Sequence, residues 1–573
     1  MGAFLLGNTD KAPAGRLERA RASLTGQGFA PPVEFAAGPW RAWVYPKLGG
    51  APATIYRQGQ EGFAFATGTF FYRGRLGAKG LAAAFADWRA GRFETGALNG
   101  SFALALSAGG RMSLLIDRVG VYKVFRADDD AVLSSSFLAV AAASPALTAD
   151  VQGVYEYVFN GATTGELTPL REVRLLGRQA IYDLDDAIRP RPLTDPPVDG
   201  CDPRPFAQQV DAMLGLLRPW FGVLGANFGD NLDTALSGGF DSRLVLALLR
   251  GIGRHPRVHV YGRANDADVR VAQVIAKGEG IALEHQDKSL RPLPRPGDFA
   301  AVVERNFQAF DGTPTDGIFD SGADLETRLK RAQNGALMLN GGGGEIFRNF
   351  FYLPDRAYRV RELLWTFYSQ FDPRAATEAF RETAYYAALE QAVRQSIGPG
   401  PDPLPRFQVE RVYPYFRCGF WMGRNNSLNN RLGFAVTPFI EPELVAAAAK
   451  VPLGYKNHGR FEAALIAAAD PALARYLSVY GHDFLTPPGL KQRLKDWATY
   501  GRPTWLRRLS FRYKVRPQPR PALLAAPYLE QAVDPALPRL RHFFHPEHVH
   551  APDQFARVCT LEYLFQRMNV ATG

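Results

Sequence analysis

Residues 236–243 read Leu-Ser-Gly-Gly-Phe-Asp-Ser-Arg and bring small, hydroxyl-bearing and acidic side chains into one turn. The turn follows a short, partly apolar run at 232–236 and precedes a helical pattern at 244–250. Glycines let the backbone approach a ligand without a Cβ in the way, and the N–H groups at a helix start attract anions. The sequence predicts a pyrophosphate site built from Ser237, Gly238, Gly239 and Ser242.

Asp241 stands among these donors, and its carboxylate suggests that a cation lies between it and the phosphates. Mg²⁺ is the usual cation in such a place. The alternative is a tight strand-to-helix turn with an N-cap and no ligand. No Gly-x-x-x-x-Gly-Lys-[Ser/Thr] run occurs, so this is not a Walker A loop. A loop without that lysine suits attack at the α-phosphate with pyrophosphate leaving, which predicts adenylation with ATP and Mg²⁺.

A second glycine-rich loop, Asn340-Gly-Gly-Gly-Gly-Glu345, follows the strand-like run 336–339. Gly342 and Gly343 would form a second wall of the nucleotide site. Glu345 is expected to open a helix, where the dipole favours a carboxylate, and to act as a partner of Mg²⁺ or of an amine. The alternative is a flexible loop with a capping glutamate.

Three other groups of polar residues could do chemistry, but each has a plain structural reading. Asp311 or Asp316 could orient a substrate amine, or they could belong to a capped turn before the next helix. The histidines near the C-terminus match no standard metal spacing and favour an exposed loop. His458 and His482 are interpreted as structural histidines. The C-terminal histidines are His542, His545, His548 and His550.

The composition excludes several classes of protein. A chain of 573 residues with 46% apolar and 21% charged residues is typical of a soluble protein with two or three domains. No apolar stretch approaches the roughly 18 residues of a membrane span, and the start lacks the basic region of a secretory signal. Three distant cysteines, Cys201, Cys418 and Cys559, predict neither disulfides nor zinc and favour the cytoplasm.

The net charge of +11 is concentrated in one segment, because residues 491–520 alone carry +9. Aromatic residues, Trp497 and Trp505 among them, are interleaved with the lysines and arginines. Such a segment could hold a nucleic acid or an acidic peptide. The alternative is a solvated basic face whose aromatic residues are anchored in the core. Prolines from 517 onwards predict an extended end.

The chain divides at a proline-dense segment. Residues 1–190 show short alternating runs separated by glycine turns, which predicts a β-rich domain. Residues 191–205 cannot form a regular element and are expected to be a linker. From 206 to 573 helical and strand patterns alternate, as in an α/β domain with a parallel sheet and ligands at its carboxyl edge. The runs Val258–Gly262 and Ile281–His285 are its further strands, and 360–395 and 440–480 are helical.

In this order the motifs resemble the asparagine synthetase family of the ATP-pyrophosphatase type. Residues 237–242 resemble its pyrophosphate motif, and 98–103 with 116–122 resemble strands of its glutaminase domain. Residues 340–347 and 431–445 are similar to segments that form and close its synthetase site. The resemblance implies an Ntn-hydrolase-like N-terminal sandwich followed by an adenine-nucleotide-hydrolase-like α/β domain.

Three departures separate this chain from that family. The nucleophilic cysteine after the initiator Met is replaced by Gly2, so glutamine is not expected as the nitrogen source. In the second motif only Glu345 remains of the family's carboxylates. The family's Gly-Arg-Thr-Lys segment reads Gly459-Arg-Phe-Glu462, which removes a charge worth ~3 kcal/mol or more to the transition state. Candidates to replace the lysine are Arg460, Lys456 and Arg243.

Loss of the cysteine with retention of the ATP loop resembles lasso-peptide cyclases and β-lactam synthetases. The resemblance implies that the chain adenylates a carboxylate, which the substrate's own amine then attacks. The partners would be a peptide or amino-acid precursor with a carboxylate and an amine, and a companion protease. The resemblance assigns Val260, Tyr261 and Gly262 to adenine, Asp241 to Mg²⁺, and Glu345, Arg460 and Glu462 to catalysis.

Other functions remain open on the sequence. The chain could be an amidotransferase that uses ammonia on an amino acid or a uronic acid. A tRNA-modifying ATP pyrophosphatase could use the basic segment, although the glutaminase-like half argues against a nucleic-acid partner. Because the family's cysteine and lysine are both missing, a non-catalytic binding protein is the remaining alternative.

Overall fold

The computed structural model describes residues 1–59, 62–514 and 517–572. Its N-terminal part is rich in antiparallel strands, as the alternating runs predict. The strands are β1 (Ala3–Asn8), β2 (Val33–Ala37), β3 (Trp40–Tyr45), β4 (Ile55–Gln58), β5 (Gly62–Tyr72), β6 (Arg75–Leu76), β7 (Leu98–Ala108), β8 (Arg111–Ile116), β9 (Phe125–Ala127), β10 (Val132–Ser134), β11 (Val173–Leu175), β12 (Ala180–Leu184) and β13 (Ile188–Pro192).

These strands form two antiparallel sheets that pack face to face. Their orders are β11-β9-β10-β1-β3-β2 and β13-β12-β8-β7-β5-β4, with β6 paired to β5. Phe4 and Phe65 meet between the sheets with ring centroids 5.9 Å apart. Side chains alternate along each strand, so Trp40 and Val44 of β3 enter this shared core. Tyr45 of the same strand faces the opposite way, towards the helical layer.

Helices cover both outer faces of the sandwich. The helices of the N-terminal half are α1 (Ala14–Gly26), α2 (Gly77–Arg89), α3 (Phe137–Ala143) and α4 (Val151–Asn160). Helices α1 and α3 pack on the first sheet and α2 packs on the second. Two antiparallel sheets between helical layers form a sandwich, as predicted, and the α/β fold class is confirmed.

The C-terminal part is an α/β unit around a parallel sheet. Its strands are β14 (Leu232–Ala235), β15 (Arg257–Tyr261), β16 (Leu283–Gln286), β17 (Leu337–Leu339) and β18 (Phe434–Val436). They lie in the order β16-β15-β14-β17-β18. Strands β14, β15 and β16 therefore follow one another towards one edge of the sheet. Strands β17 and β18 follow one another towards the other edge. Such a reversal leaves a crevice at the carboxyl ends of the two central strands, where ligands of open α/β sheets bind.

Helices surround this sheet and extend away from it. They are α5 (Phe206–Phe228), α6 (Asp241–Gly251), α7 (Ala267–Glu279), α8 (Phe299–Ala309), α9 (Ala323–Ala332), α10 (Val360–Phe367), α11 (Glu382–Ile397), α12 (Arg406–Val412), α13 (Gly423–Leu432), α14 (Pro442–Lys450), α15 (Leu453–Lys456), α16 (Arg460–Ala469), α17 (Pro471–Ala474), α18 (Leu490–Tyr500), α19 (Thr504–Lys514) and α20 (Pro552–Arg567). A π-helix, Tyr413–Met422, joins α12 to α13. Among the described residues, no helix is long and apolar enough to cross a membrane.

Each half of the chain caps a helix of the other. The Lys47 ammonium donates to the carbonyls of Asn430 and Gly433 at the end of α13, at 2.6 and 2.7 Å. In return, the Asp311 carboxylate accepts from the N–H groups of Phe137 and Leu138 at the start of α3. Asp311 is thus a buried cap between the halves rather than a partner of a substrate amine.

Candidate active site

The two predicted glycine loops leave neighbouring strands at the crevice. Strands β14 and β17 pair in parallel, with Thr234 opposite Leu339. The loop 236–240 follows β14 and leads into α6, and the loop 340–344 follows β17. The carboxyl ends of paired parallel strands lie at the same edge of a sheet. Two sequence motifs about a hundred residues apart therefore meet in one place.

The first loop is a compact turn held by its own hydroxyl groups. The Ser237 N–H donates to Ser242 Oγ at 2.9 Å, and the two hydroxyls lie 3.0 Å apart. The Gly239 N–H donates to Ser237 Oγ at 3.3 Å. Helix α6 begins at Asp241, so its first N–H groups point back towards this turn. Of the predicted phosphate-binding residues, Ser237, Gly239 and Ser242 form one network, and Gly238 lies between them.

Asp241 is paired with Arg348, which follows the second loop closely in the chain. Arg348 Nη2 lies 2.8 and 2.7 Å from the two carboxylate oxygens of Asp241. Its Nε lies 2.8 Å from Glu462, and its Nη2 lies 3.8 Å from Glu345. One guanidinium therefore ties together Asp241, Glu345 and Glu462, three of the residues that the sequence places in the site.

Electrostatics explains why this cluster holds together. Burial raises the pKa of Glu462 well above its ordinary value, and the neighbouring Asp241 carboxylate raises it further. Burial also raises the pKa of Asp241, although Arg348 opposes that shift. For Arg348 burial disfavours the charge, but the surrounding carboxylates outweigh it and raise its pKa. Among these carboxylates, Asp241 contributes most to the raised pKa of Arg348.

The second loop approaches Asp241 closely. A Cβ on Gly344 would lie 2.1 Å from Asp241 Oδ1, which no side chain could tolerate. Gly343 has a φ of +91° and packs against Ile440, and Gly342 packs against Met422. The carboxylate of Glu345 accepts from the Gly343 N–H and from the Tyr413 hydroxyl. The glycines therefore let the backbone of the second loop come close to its neighbours, as predicted.

The expected helix after Glu345 does not form. Residues Gly344–Phe347 make only a single 3₁₀ turn, and Arg348 is extended, with φ −124° and ψ 168°. This extension turns the Arg348 side chain back towards Asp241. The prediction that the dipole of a following helix stabilises Glu345 is therefore wrong. The stabilising charge comes from Arg348.

The predicted adenine strand lies beside the first loop. The Leu236 N–H donates to the carbonyl of His259, so β15 continues the edge of the sheet next to β14. Val260 is buried, and the Tyr261 ring packs against His259 with centroids 4.8 Å apart. Gly262 has a φ of +132° where the strand ends. These three residues are adjacent to the crevice but make no contact with Arg348 or Asp241 in the described contacts.

The candidates to replace the family lysine lie elsewhere. Arg460 is exposed, with its guanidinium over the Phe206 ring. The ammonium of Lys456 is buried in an ion pair with Glu410. Arg243 donates to the carbonyls of Tyr476 and Leu477. None of the three reaches the carboxylate cluster, and Arg348 is the cation that sequence reasoning missed. Its signal was a basic residue three positions after Glu345.

A segment from far along the chain covers the first loop. We name residues 477–484 the covering segment. The Val479 N–H donates to the Gly238 carbonyl at 3.1 Å, and a Cβ on Gly238 would lie 2.2 Å from Val479 Cγ1. Phe484 stacks on Phe240 with ring centroids 4.3 Å apart. The Gly238 N–H donates to the carboxylate of Asp268 at 2.8 Å. Protein groups thus occupy part of the loop that phosphates would use.

A cavity opens on the free side of Arg348. Within it, His458 Nδ1 lies 2.6 Å from the Asp496 carboxylate of α18, which fixes the ring. The sequence favoured a structural role for His458, but the residue lines this cavity. The rings of Tyr352, Tyr480 and Tyr500 also line the cavity. This lining places His458 in the same cavity as Arg348.

The arrangement does not fit a magnesium ion held by the protein. Both oxygens of Asp241 accept from Arg348, so a cation at this carboxylate would meet the guanidinium. Among the described residues, no group of three or more His, Cys, Asp or Glu side chains is placed to hold a metal, the C-terminal histidines included. The magnesium role of Asp241 therefore stays a prediction that the local geometry opposes.

The N-terminal half has no room for a cysteine side chain at position 2. A Cβ at Gly2 would lie 2.8 Å from Lys47 Cα and 2.9 Å from the carbonyl oxygens of Arg431 and Pro46. The neighbouring Asn99 and Gly100 donate to the carboxylate of Glu441 at 3.0 Å each. Glu441 belongs to the segment that resembles the closing element of the synthetase site. It contacts the N-terminal half of the chain.

Two aromatic residues of the basic segment, Trp497 and Trp505, are not core anchors. Trp497 and Trp505 are exposed, whereas the arginine at 507 is buried and donates to the carbonyls of Phe351 and Tyr352. Arg516 and the side chains of Lys491, Arg512, Tyr513 and Lys514 lie outside the described residues. The two tryptophans therefore do not anchor this segment in the core.

Comparison with known proteins gives only distant likenesses. No family model and no curated protein matches the chain. One similar solved structure is the allosteric regulatory enzyme of purine biosynthesis, at 12% identity and TM-score 0.25, covering 59% of this chain and 90% of that one. Another is glutamine phosphoribosylpyrophosphate amidotransferase from B. subtilis, complexed with ADP and GMP, at 11% identity and TM-score 0.23, covering 50% and 65%. At these scores the likeness carries no argument about function.

Proposed function

We propose that this chain is an ATP-dependent, AMP-forming ligase that makes an amide bond without glutamine. The observation that carries the proposal is the meeting of two glycine loops at the reversal point of the parallel sheet, with Arg348 between Asp241 and Glu462. The preferred form of the reaction is the intramolecular cyclisation of a peptide or amino-acid precursor.

The absence of room at Gly2 supports an amine that does not come from glutamine. Backbone atoms of Pro46, Lys47 and Arg431 surround the position where a cysteine side chain would begin. An amine on the substrate itself needs no delivered ammonia, because tethering raises its effective concentration. Free ammonia as the nucleophile is the remaining form of the same reaction.

The proposed chemistry balances in two steps. A substrate carboxylate oxygen attacks the α-phosphorus of ATP, and the bond to the departing pyrophosphate breaks. The amine then attacks the activated carbonyl carbon, and AMP leaves with its bonding electrons. Arg348 would offset the negative charge that develops at the phosphorus. His458, oriented by Asp496, would accept the proton that the amine loses.

The test of this proposal is product release. The purified chain, with Mg²⁺ and ATP labelled at the α-phosphate, is incubated with peptides and amino acids that carry both a carboxylate and an amine. AMP and pyrophosphate should form in equal amounts. Arg348→Met should lower AMP formation by about 10²-fold or more, with partial recovery in Arg348→Lys. Arg460→Met should match the parent. AMP formation that is unchanged in Arg348→Met would contradict the role of Arg348.

His458 can be tested separately from adenylation. His458→Gln should slow amide formation, whereas substrate-dependent exchange of pyrophosphate into ATP should continue, because that exchange needs no base for the amine. His548→Gln, which lies away from the cavity, is the control. Equal loss of exchange and ligation would assign His458 to substrate binding instead.

A non-catalytic protein is the second candidate. The Gly238 N–H and carbonyl are already hydrogen-bonded to Asp268 and Val479, and the Asp241 carboxylate is already bonded to Arg348. Calorimetry with ATP, with and without Mg²⁺, separates the two candidates. A parent protein that binds no ATP is non-catalytic. Binding that Ser242→Ala abolishes and the surface control Ser289→Ala retains supports the ligase.

A further inference from the structure

Exposed large hydrophobic side chains are concentrated in one short part of the chain. Fifteen such residues are exposed in the described structure, and ten of them lie between 477 and 509. Single exposed hydrophobics are ordinary, but a contiguous apolar patch on a protein surface marks an interaction site. The ten are Leu477, Val479, Tyr480, Leu485, Leu490, Leu494, Trp497, Trp505, Leu506 and Leu509.

Helix α18 carries the centre of this patch. Leu490, Leu494 and Trp497 are spaced four and three residues apart, so they lie on one side of the helix. Their exposures are 75%, 65% and 71%. A second side of the helix, with Asp496 and Tyr500, lines the cavity beside Arg348. The apolar stripe is therefore not needed to pack α18 onto the protein.

Helix α19 adds three more exposed hydrophobic side chains. Trp505, Leu506 and Leu509 are exposed. Arg507, on the inner side, donates to the carbonyls of Phe351 and Thr499, which ties α19 to the body of the protein and to the end of α18. We name α18 and α19 together the hairpin. The hairpin exposes Trp and Leu side chains and is attached to the rest of the protein through Arg507.

The hairpin is strongly basic as well as apolar. Residues 490–514 contain eight lysines and arginines against the single acid Asp496, which is buried and paired with His458. Arg493 and Lys495 are exposed beside the Leu494 stripe. A helix with Trp and Leu on one side and basic residues beside them is typical of helices that lie in the interface of an anionic bilayer.

We propose that the hairpin docks on an anionic lipid bilayer, with its apolar stripe among the acyl chains and the exposed Arg493 and Lys495 at the headgroups. A helical peptide would need a groove to receive its anchors, whereas these side chains protrude and suit a deformable surface. Trp at the headgroup level and Lys or Arg next to it are favoured at such interfaces. Because α18 also lines the cavity, docking would hold the candidate site beside the bilayer.

Flotation of the full chain with vesicles tests this proposal. The chain should float with vesicles of phosphatidylcholine and phosphatidylglycerol, less at high salt, and should not float with phosphatidylcholine alone. The double variant Leu494→Gln, Trp497→Gln should lose about tenfold or more in vesicle affinity, since burying one large apolar side chain is worth that much. The control is Leu290→Gln, Leu293→Gln, which removes two exposed leucines outside the hairpin.

Thermal unfolding of each variant shows whether the fold is kept, since the replaced side chains are exposed. The proposal is overturned if the parent does not bind anionic vesicles, or if the hairpin variant binds as well as the parent. It is also overturned if only an acidic peptide or an RNA binds. Sedimentation velocity completes the test, because self-association that the hairpin variant loses, without vesicle binding, would make this surface an interface between copies.

Discussion

One arginine organises the candidate site at the level of single residues. Arg348 compensates the charge of Asp241 and contacts Glu345 and Glu462, which otherwise would repel one another in a buried place. The sequence predicted the three acidic residues but not the cation between them. The direction of the Arg348 side chain depends on the extended backbone at 348. No local sequence pattern predicts that backbone conformation, so the sequence could not place the guanidinium at the three acids.

Replacement of Gly344 by Ala should disturb this cluster directly. The new methyl group would lie 2.1 Å from Asp241 Oδ1, so the loop or the carboxylate must move. We expect a loss of about 1–3 kcal/mol in the free energy of unfolding, as for overpacked sites. Urea denaturation measures it. Gly454→Ala, where nothing lies within 4 Å of the added methyl group, should lose no stability relative to the parent.

Introducing a cysteine at position 2 should not produce glutamine hydrolysis. Gly2→Cys places its Cβ against three backbone atoms, and a comparable loss of about 1–3 kcal/mol is expected. Glutamate release from glutamine and urea denaturation are the measurements. Gly15→Ala in α1, which meets nothing within 4 Å, is the control for stability. Glutamate production by the cysteine variant would show that a working glutaminase pocket remains.

At the level of elements, local patterns predicted the strands and loops but not what lies over them. Alternation marks β3 and the apolar run marks β14 because neighbouring residues share one environment. The covering segment begins more than 230 residues after Gly238, so no periodicity connects the two. The sequence could therefore place the first loop at the edge of the sheet, yet it could not show Val479 upon it.

Arg243 holds the covering segment, and its removal should release it. Arg243→Met deletes the donors to the carbonyls of Tyr476 and Leu477. Chymotrypsin, which cleaves after aromatic residues and leucine, should then cut within 477–484 faster than in the parent. Mass spectrometry locates the cut, and Arg460→Met is the control. If ATP binding needs the segment to leave, the affinity for ATP should rise in the same variant. An unchanged cleavage rate would show that Arg243 does not hold the segment.

At the level of the whole molecule, buried acids lie between the two halves. Burial raises the pKa of Glu441 to about 8, although Asn99 and Gly100 donate to it and lower the shift. The proton is therefore kept in the folded chain at pH values where the unfolded chain has released it. Stability from this residue is full below its ordinary pKa and is lost as the pH rises through about 8.

Glu441→Gln should flatten the dependence of stability on pH. Gln imitates the protonated carboxyl, so the variant no longer loses a proton on unfolding between about pH 4.5 and 8. Melting temperatures across this range give the slope. Glu443→Gln, which removes the partly exposed partner of Arg118, should keep the slope of the parent. A slope that is equal in all three proteins would place the pH dependence in other groups.

The exchange of helix caps between the halves has a consequence for fragments. A piece that ends before the proline-dense segment would leave the N–H groups at the start of α3 without Asp311, and the complementary piece would leave the end of α13 without Lys47. Buried polar groups without partners cost about 1–3 kcal/mol each. Two such pieces, expressed together from separate genes, should find each other and assemble, whereas either alone should aggregate.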